Sequence, residues 1–265
     1  LSYRSIRFLL SSLLLAFIAF IMRATWPSSP DQILHIIVAG LLMHAGYLGG
    51  VFFSIKLGLN AGALAVITGI QPILTAVCVG PLLGDSVTKR QWTGLWLGFL
   101  GVTFVMWEKA ALEGTSIIAL FCAFISLISI TAGTMYQKQF CAISDIRSMN
   151  SIQLFASALI CGLFALSFEK NGIEWNADII FALSWQVIIL SAAAYSIFYW
   201  LLRKGEAIRV TSLFYLMPPA TALMGYLIFN EKFGVIGIFG LLTAMLGFSI
   251  IFHFGSNIVG DKSEK

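Results

Sequence analysis

The chain contains two copies of one pattern, 146 residues apart, which is the separation of Pro72 and Pro218. Each copy, at 71–107 and at 217–253, has an apolar helix with a proline, an acidic turn and a second apolar helix with glycines on one face. The pairs that match without a gap are Pro72/Pro218, Thr75/Thr221, Ala76/Ala222, Asp85/Glu231, Gly94/Gly240, Leu95/Leu241 and Gly101/Gly247, and the same offset relates Ser5, Ser11 and Leu13 to Ser151, Ser157 and Leu159. One offset over two separated regions indicates an internal duplication.

The composition places this duplication in a membrane. Hydrophobic residues make up 59% of the 265 residues and charged residues only 11%, whereas soluble domains have about 25% charged residues. Nine apolar runs are each long enough to cross a hydrocarbon core of about 30 Å. These runs are 3–22, 33–56, 61–83, 91–107, 115–137, 149–168, 179–202, 210–230 and 235–254. The short loops between them leave no length for a soluble domain.

Nine helices do not divide into two equal copies. Under the offset, the helix at 115–137 has no partner, and the chain opens with Leu1 directly at a helix. We therefore expect a ten-helix parent whose first helix is missing here; the alternative is a nine-helix protein that has lost that helix. Halves of five helices must have opposite orientations, so the predicted fold is an all-α integral membrane protein with an inverted repeat. The predicted segments are a first repeat (1–110), a second repeat (111–255) and a polar cytoplasmic tail (256–265).

The loop charges predict the orientation. Lysines and arginines are more numerous in one set of alternate loops, and the positive-inside rule places that set and the C-terminus in the cytoplasm. That set holds Arg23, Lys89, Arg90, Lys138, Arg147, Arg203, Lys204, Arg209, Lys262 and Lys265, and the other holds Arg4, Arg7, Lys56, Lys109, Lys170 and Lys232. The net charge of +4 is spread over these loops, so a nucleic-acid partner is not expected. The four cysteines show no metal spacing, and we expect neither a metal nor another cofactor.

The repeated motif resembles the EamA-type branch of the drug/metabolite transporter superfamily. The resemblance rests on Gln71-Pro72 to Gly84-Asp85 and on Met217-Pro218 to Asn230-Glu231, each followed by a glycine-rich helix. Asp85 stands where that family usually has glutamate. The resemblance implies a bacterial inner-membrane exporter that works by alternating access. Members carry amino acids, other metabolites, sugars and drugs; amino acids are the leading substrate candidate.

Several polar residues fall inside apolar runs, where their cost in lipid indicates function. His44 lies deep in a helix, and Tyr47 shares its face three residues on. We predict that both line a substrate cavity; the alternative is a neutral histidine bonded to a neighbouring helix. Gln71, Tyr195 and Tyr215 are further substrate-binding candidates by depth.

Arg7 has two interpretations that the residues leave open. It binds a substrate carboxylate, or it extends from a helix end to the lipid headgroups. Tyr199 and Trp200 are assigned to an aromatic belt at the membrane interface.

Pro72 and Pro218 interrupt membrane helices at equivalent places in the two repeats. Proline frees backbone carbonyls, so these residues are predicted hinges, with a static kink as the alternative. Asp85 and Glu231 are interpreted as helix-capping residues, with gating as the alternative.

Of three classes of function, a carrier of small molecules fits the sequence best. An enzyme would need a clustered catalytic set, which the sequence lacks, so no catalytic residue is predicted. A receptor or scaffold would need a sealed apolar interior, against which His44, Gln71 and Tyr195 argue. The expected partners are a small-molecule substrate and the lipid bilayer, and the sequence leaves a homodimer undecided. Proton coupling and facilitated efflux both remain open, because His44 is the one titratable group deep in a helix.

Overall fold

A computed structural model describes residues 2–84, 86–107, 116–168, 175–229 and 234–254. Asp85, Glu231 and the tail at 256–265 lie outside these ranges, and their predicted roles therefore remain predictions. Every regular element in the described ranges is helical, as expected from the composition.

The first repeat comprises α1 to α6 and one π-helical segment. Their bounds are α1 Ser2–Ile21, α2 Pro30–Gly40, the first π segment Leu41–Gly46, α3 Tyr47–Lys56, α4 Ala61–Thr68, α5 Gln71–Leu83 and α6 Lys89–Met106. The second repeat comprises α7 to α13, a second π segment and a short 3₁₀ helix. Their bounds are α7 Ile117–Phe140, α8 Ile146–Phe168, α9 Ala177–Trp185, the second π segment Gln186–Ala194, α10 Tyr195–Lys204, α11 Ala207–Ser212, the 3₁₀ helix Leu213–Leu216, α12 Met217–Phe229 and α13 Val235–Phe254.

The polar turns begin helices through side-chain caps. Ser29, Asn60 and Asn176 each accept a hydrogen bond from a backbone N–H in the first turn of the helix that follows. Thr88 and Gln91 form a reciprocal capping box at the start of α6. Such caps satisfy backbone donors that a helix cannot pair internally, so the loop sequences set where the spans begin.

Seven stretches of the described residues are helices long and apolar enough to cross a membrane. They are Ser2–Ile21, Pro30–Lys56, Ala61–Leu83, Ile117–Phe140, Ile146–Ser167, Ala177–Lys204 and Val235–His253, and they coincide with seven of the nine predicted runs. The described residues of the runs predicted at 91–107 and 210–230 are also helical. The first forms α6, whose opening turn carries Lys89 and Arg90; the second is divided among α11, the 3₁₀ helix and α12.

The chain divides into two compact units, and each unit takes residues from both repeats. The first unit contains Leu1–Gly49 and Ala132–Gly205, and the second contains Gly50–Thr131 and Glu206–Lys265. The compact units therefore differ from the sequence repeats.

In the first unit, α1 packs against its counterpart α8. The Ser5 hydroxyl donates to the Ala158 carbonyl, and the Ser12 hydroxyl donates to the Ser151 carbonyl, both at 2.9 Å. Moving Ser5 and Ala158 by the repeat offset gives Ser151 and Ser12, and the Ser151 hydroxyl donates to the Ser12 carbonyl at 2.9 Å, so this hydrogen bond is the symmetry mate of the one from Ser5. As the residue number rises along α1, its partner's number falls along α8. The pair is therefore antiparallel, which is the arrangement that an inverted repeat requires.

In the second unit, α6 packs against its counterpart α13 in the same way. A methyl group added at Gly94 would lie 2.8 Å from the carbonyl oxygen of Gly247, and one at Gly240 would lie 2.8 Å from that of Gly101. These two contacts are again exchanged by the offset, so this pair is antiparallel as well. Lipid gives helices no hydrophobic reason to associate, and backbones that approach this closely gain packing instead.

We expect Gly101→Ala to destabilise the protein by about 1–3 kcal/mol, because the added methyl would lie 2.3 Å from the backbone nitrogen of Ala244 and would push α6 from α13. Gly49→Ala is the matched control, since nothing lies within 4 Å of a methyl group there. Unfolding of both variants in mixed detergent micelles measures the difference. Equal costs at the two positions would contradict the close packing of α6 and α13.

Asp145 caps α8 from the preceding loop. Its carboxylate accepts from the Arg147 backbone N–H at 2.9 Å and from the Arg147 guanidinium at 2.8 Å. The Arg147 side-chain hydrogen bond holds the pKa of Asp145 below its ordinary value. Because the folded pKa is lowered, the stabilisation is present above the unfolded value and is lost as pH falls through the folded value.

We expect Asp145→Ala to cost about 1 kcal/mol at neutral pH, the usual effect of removing a helix cap. Asp145→Asn keeps the cap and loses the ion pair, so the free energy of unfolding of wild type should exceed that of this variant by less than about 1 kcal/mol. That advantage should begin to fall below about pH 4, near the unfolded value, and should vanish once the pH lies below the lowered folded value. The free energies of unfolding at neutral and acid pH provide the check, and an advantage that grows in acid would contradict the lowered pKa.

Candidate functional site

The two π segments occupy equivalent positions in the two repeats. Moving Leu41–Gly46 by the repeat offset gives 187–192, which lies inside the second π segment, Gln186–Ala194. A π turn leaves the regular hydrogen-bond ladder of the α-helix and is frequently found at functional sites. Both segments belong to the first compact unit. The duplicated fold therefore carries the same local widening twice.

His44 lies in the first π segment and is fully buried. Its Nε2 is 3.1 Å from the Tyr199 hydroxyl, and its ring packs at 4.6 Å from the ring of Tyr195 and at 5.6 Å from that of Phe8. Its Nδ1 has no hydrogen-bond partner among the described residues. Three aromatic rings thus surround His44, and it bonds to a neighbouring helix while keeping one nitrogen unused.

Arg7 is buried, with only 7% of its surface exposed. Its Nη1 donates to Gln186 Oε1 at 3.0 Å, and its guanidinium lies 4.7 Å from the centre of the Phe8 ring. Gln186 in turn donates to the Tyr3 hydroxyl at 3.2 Å. The Nε and Nη2 of Arg7 have no partner among the described residues. Snorkelling to the headgroups would leave the guanidinium exposed, so the burial of Arg7 argues against that interpretation.

The Arg7 contact has a counterpart in the other repeat. Moving Arg7 and Gln186 by the offset gives Gln153 and Gly40. A methyl group added at Gly40 would lie 2.6 Å from the Cα and Cβ of Gln153, so this position requires glycine. The contact of α8 with the start of the first π segment is therefore equivalent to the contact of α1 with the start of the second π segment. The side chains differ, since Arg7 and Gln186 take the places of Gln153 and Gly40.

A row of buried polar residues continues from Gln153 along α8. Gln153 Nε2 donates to Gln137 Oε1 at 2.7 Å, and Gln137 Nε2 donates to the Met149 sulfur at 3.0 Å. Asn150 Nδ2 donates to the Ser191 carbonyl in the second π segment at 3.4 Å. None of these residues was singled out from the sequence.

The second unit holds the predicted residues Gln71 and Tyr215. Both are buried, and the Nε2 of Gln71 and the hydroxyl of Tyr215 have no hydrogen-bond partner among the described residues. The Tyr215 ring covers Gly98, where a methyl group would lie 2.2 Å from Cδ2. Thr75, one turn beyond Gln71 on the same face, also has a buried oxygen without a partner.

Pro72 and Pro218 lie in the first turns of α5 and α12, and each follows an interruption of its span. Residues 69 and 70 separate α4 from α5, and the 3₁₀ helix separates α11 from α12. Proline is well accepted in a first helical turn because its missing N–H would have no helical partner there. The breaks lie at equivalent places in the two repeats, and the hinge role remains a prediction.

The remaining tyrosines are placed differently from one another. Tyr47 is half-buried. The interfacial assignment of Tyr199 is wrong, because its side chain is only 2% exposed and bonds to His44. Trp200 is exposed and packs on Lys204, whose ammonium lies 4.8 Å from the ring centre.

One sequence signal could have placed Tyr199 correctly. It lies four residues after Tyr195, so both share a helix face, and a face that is deep at Tyr195 is deep at Tyr199. The sequence signal for Gln186 was weaker: the repeat offset pairs this polar residue with Gly40. Among the described residues, no group of three or more histidine, cysteine or acidic side chains could hold a metal ion. The first unit instead has the buried guanidinium of Arg7, aromatic rings and side-chain amides, and such groups can bind a small polar organic molecule.

Antiparallel counterpart helices, equivalent breaks and equivalent π segments define a multi-pass membrane protein with an inverted repeat. The chain belongs to the EamA-like transporter family, whose family model matches residues 1–107 and 117–253. This family is part of the drug/metabolite transporter superfamily.

Three relatives share its sequence over most of its length. It is 29% identical over 202 residues to the uncharacterised transporter YvbV of Bacillus subtilis, which covers 74% of this chain and 65% of the relative. It is 23% identical to a WAT1-related chloroplastic protein of Arabidopsis thaliana, over 72% of this chain and 48% of that protein. The first two matches thus span less than two thirds of the relatives. An uncharacterised transporter of Archaeoglobus fulgidus is 25% identical over 89% of this chain and 82% of its own length.

A solved crystal structure has the same fold. Its TM-score is 0.81 over 94% of this chain and 86% of the other, at 14% sequence identity. At this identity the likeness concerns the fold alone.

We expect Tyr199→Phe to destabilise the protein by about 0.5–2 kcal/mol, because His44 Nε2 loses its partner in a buried site. Tyr195→Phe is the control, since Tyr195 contacts His44 through its ring. A double-mutant cycle with His44→Leu measures the coupling energy by unfolding in micelles. A coupling energy of zero between positions 44 and 199 would contradict the hydrogen bond.

Proposed function

We propose that this transporter exports small metabolites that carry a carboxylate, with amino acids as the leading candidates, by alternating access between its two inverted repeats. The observation that carries the proposal is Arg7, a buried guanidinium in a membrane-spanning helix with two nitrogens that have no hydrogen-bond partner among the described residues. Ionisable groups that are buried within membrane-spanning helices are costly and typically face a substrate pathway.

The geometry of Arg7 suits a carboxylate. A guanidinium presents its donors in a planar fork that matches two carboxylate oxygens, and such paired bonds are stronger than neutral ones. Gln186 occupies only Nη1 and holds the group in place, leaving Nε and Nη2 for an anion. Binding the anion would neutralise a charge that is expensive in low dielectric.

The aromatic rings near Arg7 support recognition of an organic molecule rather than a bare anion. Phe8, Tyr195 and Tyr199 surround His44 close to Arg7. Aromatic rings combine a large apolar area with polar tips, and binding sites for small molecules use this combination. Tyr47, three residues after His44, is proposed to line the same region.

Alternating access draws support from the duplication. Two repeats of opposite orientation give two pseudo-equivalent states, one open to each side of the membrane. The breaks before Pro72 and Pro218 and the two π segments are proposed as the places where the backbone changes between those states. Gln71 and Tyr215, buried with unused polar atoms, are proposed to join the pathway at one stage of the cycle.

A drug, sugar or nucleoside carrier of the same fold is the second candidate. The observation that favours it is the set of rings around His44, which could stack on a planar or amphipathic substrate. A receptor or scaffold without transport is the least supported alternative. We assign no catalytic role. The bacterial inner membrane, a cytoplasmic C-terminus and a homodimer remain proposals.

The test is efflux of labelled amino acids from proteoliposomes that contain the full-length protein, with and without an imposed pH gradient. We expect Arg7→Met to weaken transport about 10- to 100-fold, the range for losing a hydrogen bond to a charged group. Arg7→Lys keeps the charge and loses the fork, so it should rescue transport only in part. Arg23→Gln, in an exposed loop, is the matched control for loss of a cation.

Wild-type transport by Arg7→Met would overturn the carboxylate assignment. In that case transport of uncharged sugars or nucleosides by the same variant would favour the second candidate. A pH gradient that drives wild type but not His44→Ala would assign proton coupling to His44.

A further inference from the structure

Three buried oxygen atoms along α8 and the second π segment have no hydrogen-bond partner among the described residues. They are Asn150 Oδ1, Gln153 Oε1 and Ser191 Oγ. All three residues have 0% of their surface exposed. Buried polar atoms in native proteins are nearly always paired, so three orphans in one neighbourhood point to a missing ligand.

The orientation of each amide follows from its partners. The Met149 sulfur accepts from Gln137 Nε2, which leaves Gln137 Oε1 to accept from Gln153 Nε2. The amide nitrogen of Gln153 is thereby used, and its free atom is the oxygen. Asn150 turns its nitrogen to the Ser191 carbonyl, which can only accept, so its free atom is also an oxygen. The two unpaired amide atoms are therefore acceptors.

The three oxygens belong to one region of the first unit. Asn150 and Gln153 are three residues apart and share a face of α8. Asn150 contacts Ser191 in the second π segment, and Gln153 lies against Gly40, the residue before the first π segment. The orphan oxygens thus lie where α8 meets the two places at which the helix ladder is widened.

We propose that this oxygen cluster, defined by Asn150, Gln153 and Ser191, binds a small monovalent cation. A cation satisfies several acceptor oxygens at once and, because it accepts no hydrogen bonds, it needs no donor in return. Transporters bind such cations with neutral oxygens beside irregular helix turns, where backbone carbonyls are also within reach. Two sources share this chemistry, a free alkali ion and the ammonium group of a substrate.

The location of the cluster relative to Arg7 gives the cation a role. The contacts of Ser5 with Ala158 and of Ser12 with Ser151 place Arg7 level with residue 156. Gln153 then lies about 4.5 Å further along the helix axis, at a rise of about 1.5 Å per residue. Arg7 repels a cation bound in this part of the first unit, and an anion bound to Arg7 removes the repulsion. Anion and cation binding should therefore favour each other.

The test is thermal unfolding of the purified full-length protein in detergent, with choline chloride replaced by sodium, lithium, potassium or methylammonium chloride at constant ionic strength. At ten times its Kd, a bound cation raises the ratio of folded to unfolded protein about elevenfold, which corresponds to a rise in Tm of about 2–4 °C. The rise should saturate with concentration. A response to an alkali ion identifies the inorganic source, and a response to methylammonium alone identifies the substrate's ammonium group.

Ser191→Ala is the decisive variant. It removes an orphan hydroxyl, so its Tm in choline should be no lower than that of wild type, and the cation-dependent rise should disappear. Ser157→Ala is the matched control on α8: its hydroxyl shares its one proton between the carbonyls of Gly40 and Gln153, so the variant should lose stability and keep the rise. Gln153→Met provides a second variant that removes a cluster oxygen.

Arg7→Met separates this proposal from the proposed function. It should keep the rise with a cation alone and lose its enhancement by an anionic substrate. A Tm of wild type that no cation changes, or a rise that survives in both Ser191→Ala and Gln153→Met, would overturn the cation site and assign the oxygens to water.

Discussion

Close contact between antiparallel counterpart helices is the constraint on which the rest of the structure depends. In a bilayer, lipid chains are as apolar as leucine, so helices are held together by packing and by hydrogen bonds between them. The α6–α13 pair uses backbone contacts at Gly94, Gly101, Gly240 and Gly247. The α1–α8 pair uses serine hydroxyls bonded to carbonyls across the interface. Both kinds of helix contact need small residues at the interface. The duplication places such residues on both helices of each pair.

The antiparallel packing explains why polar groups collect in the first unit. Serine contacts between α1 and α8 hold two helices at short range, and the same α8 faces both π segments. Side chains from α1, α8 and the π segments therefore converge in a core where lipid does not reach. Arg7 and His44 can be tolerated there because neighbouring amides and rings partly replace water.

The sequence allowed prediction of the architecture because its signals are additive and long. Apolar runs, loop caps and a constant repeat offset each involve many residues, and small errors at one position do not matter. The π segments were not predicted, since a wide turn differs from an α turn by one residue and depends on tertiary contacts such as Gly40 on Gln153. Tyr199 was misplaced because depth along a helix was estimated from its ends, while its facing toward His44 is decided by rotation.

The two repeats share a backbone plan and have different polar side chains, and this combination is what a carrier requires. Under the proposed alternating access, equivalent breaks and π segments provide two related conformations, and a small differential affinity then shifts the balance between them. A site made of identical halves would recognise only symmetric ligands. Arg7 is paired by the offset with Gln153, and Gln186 with Gly40. Arg7 brings unpaired donors to α1, whereas its counterpart Gln153 brings an unpaired acceptor oxygen to α8, so divergence after duplication placed different polar groups at equivalent positions of the two repeats.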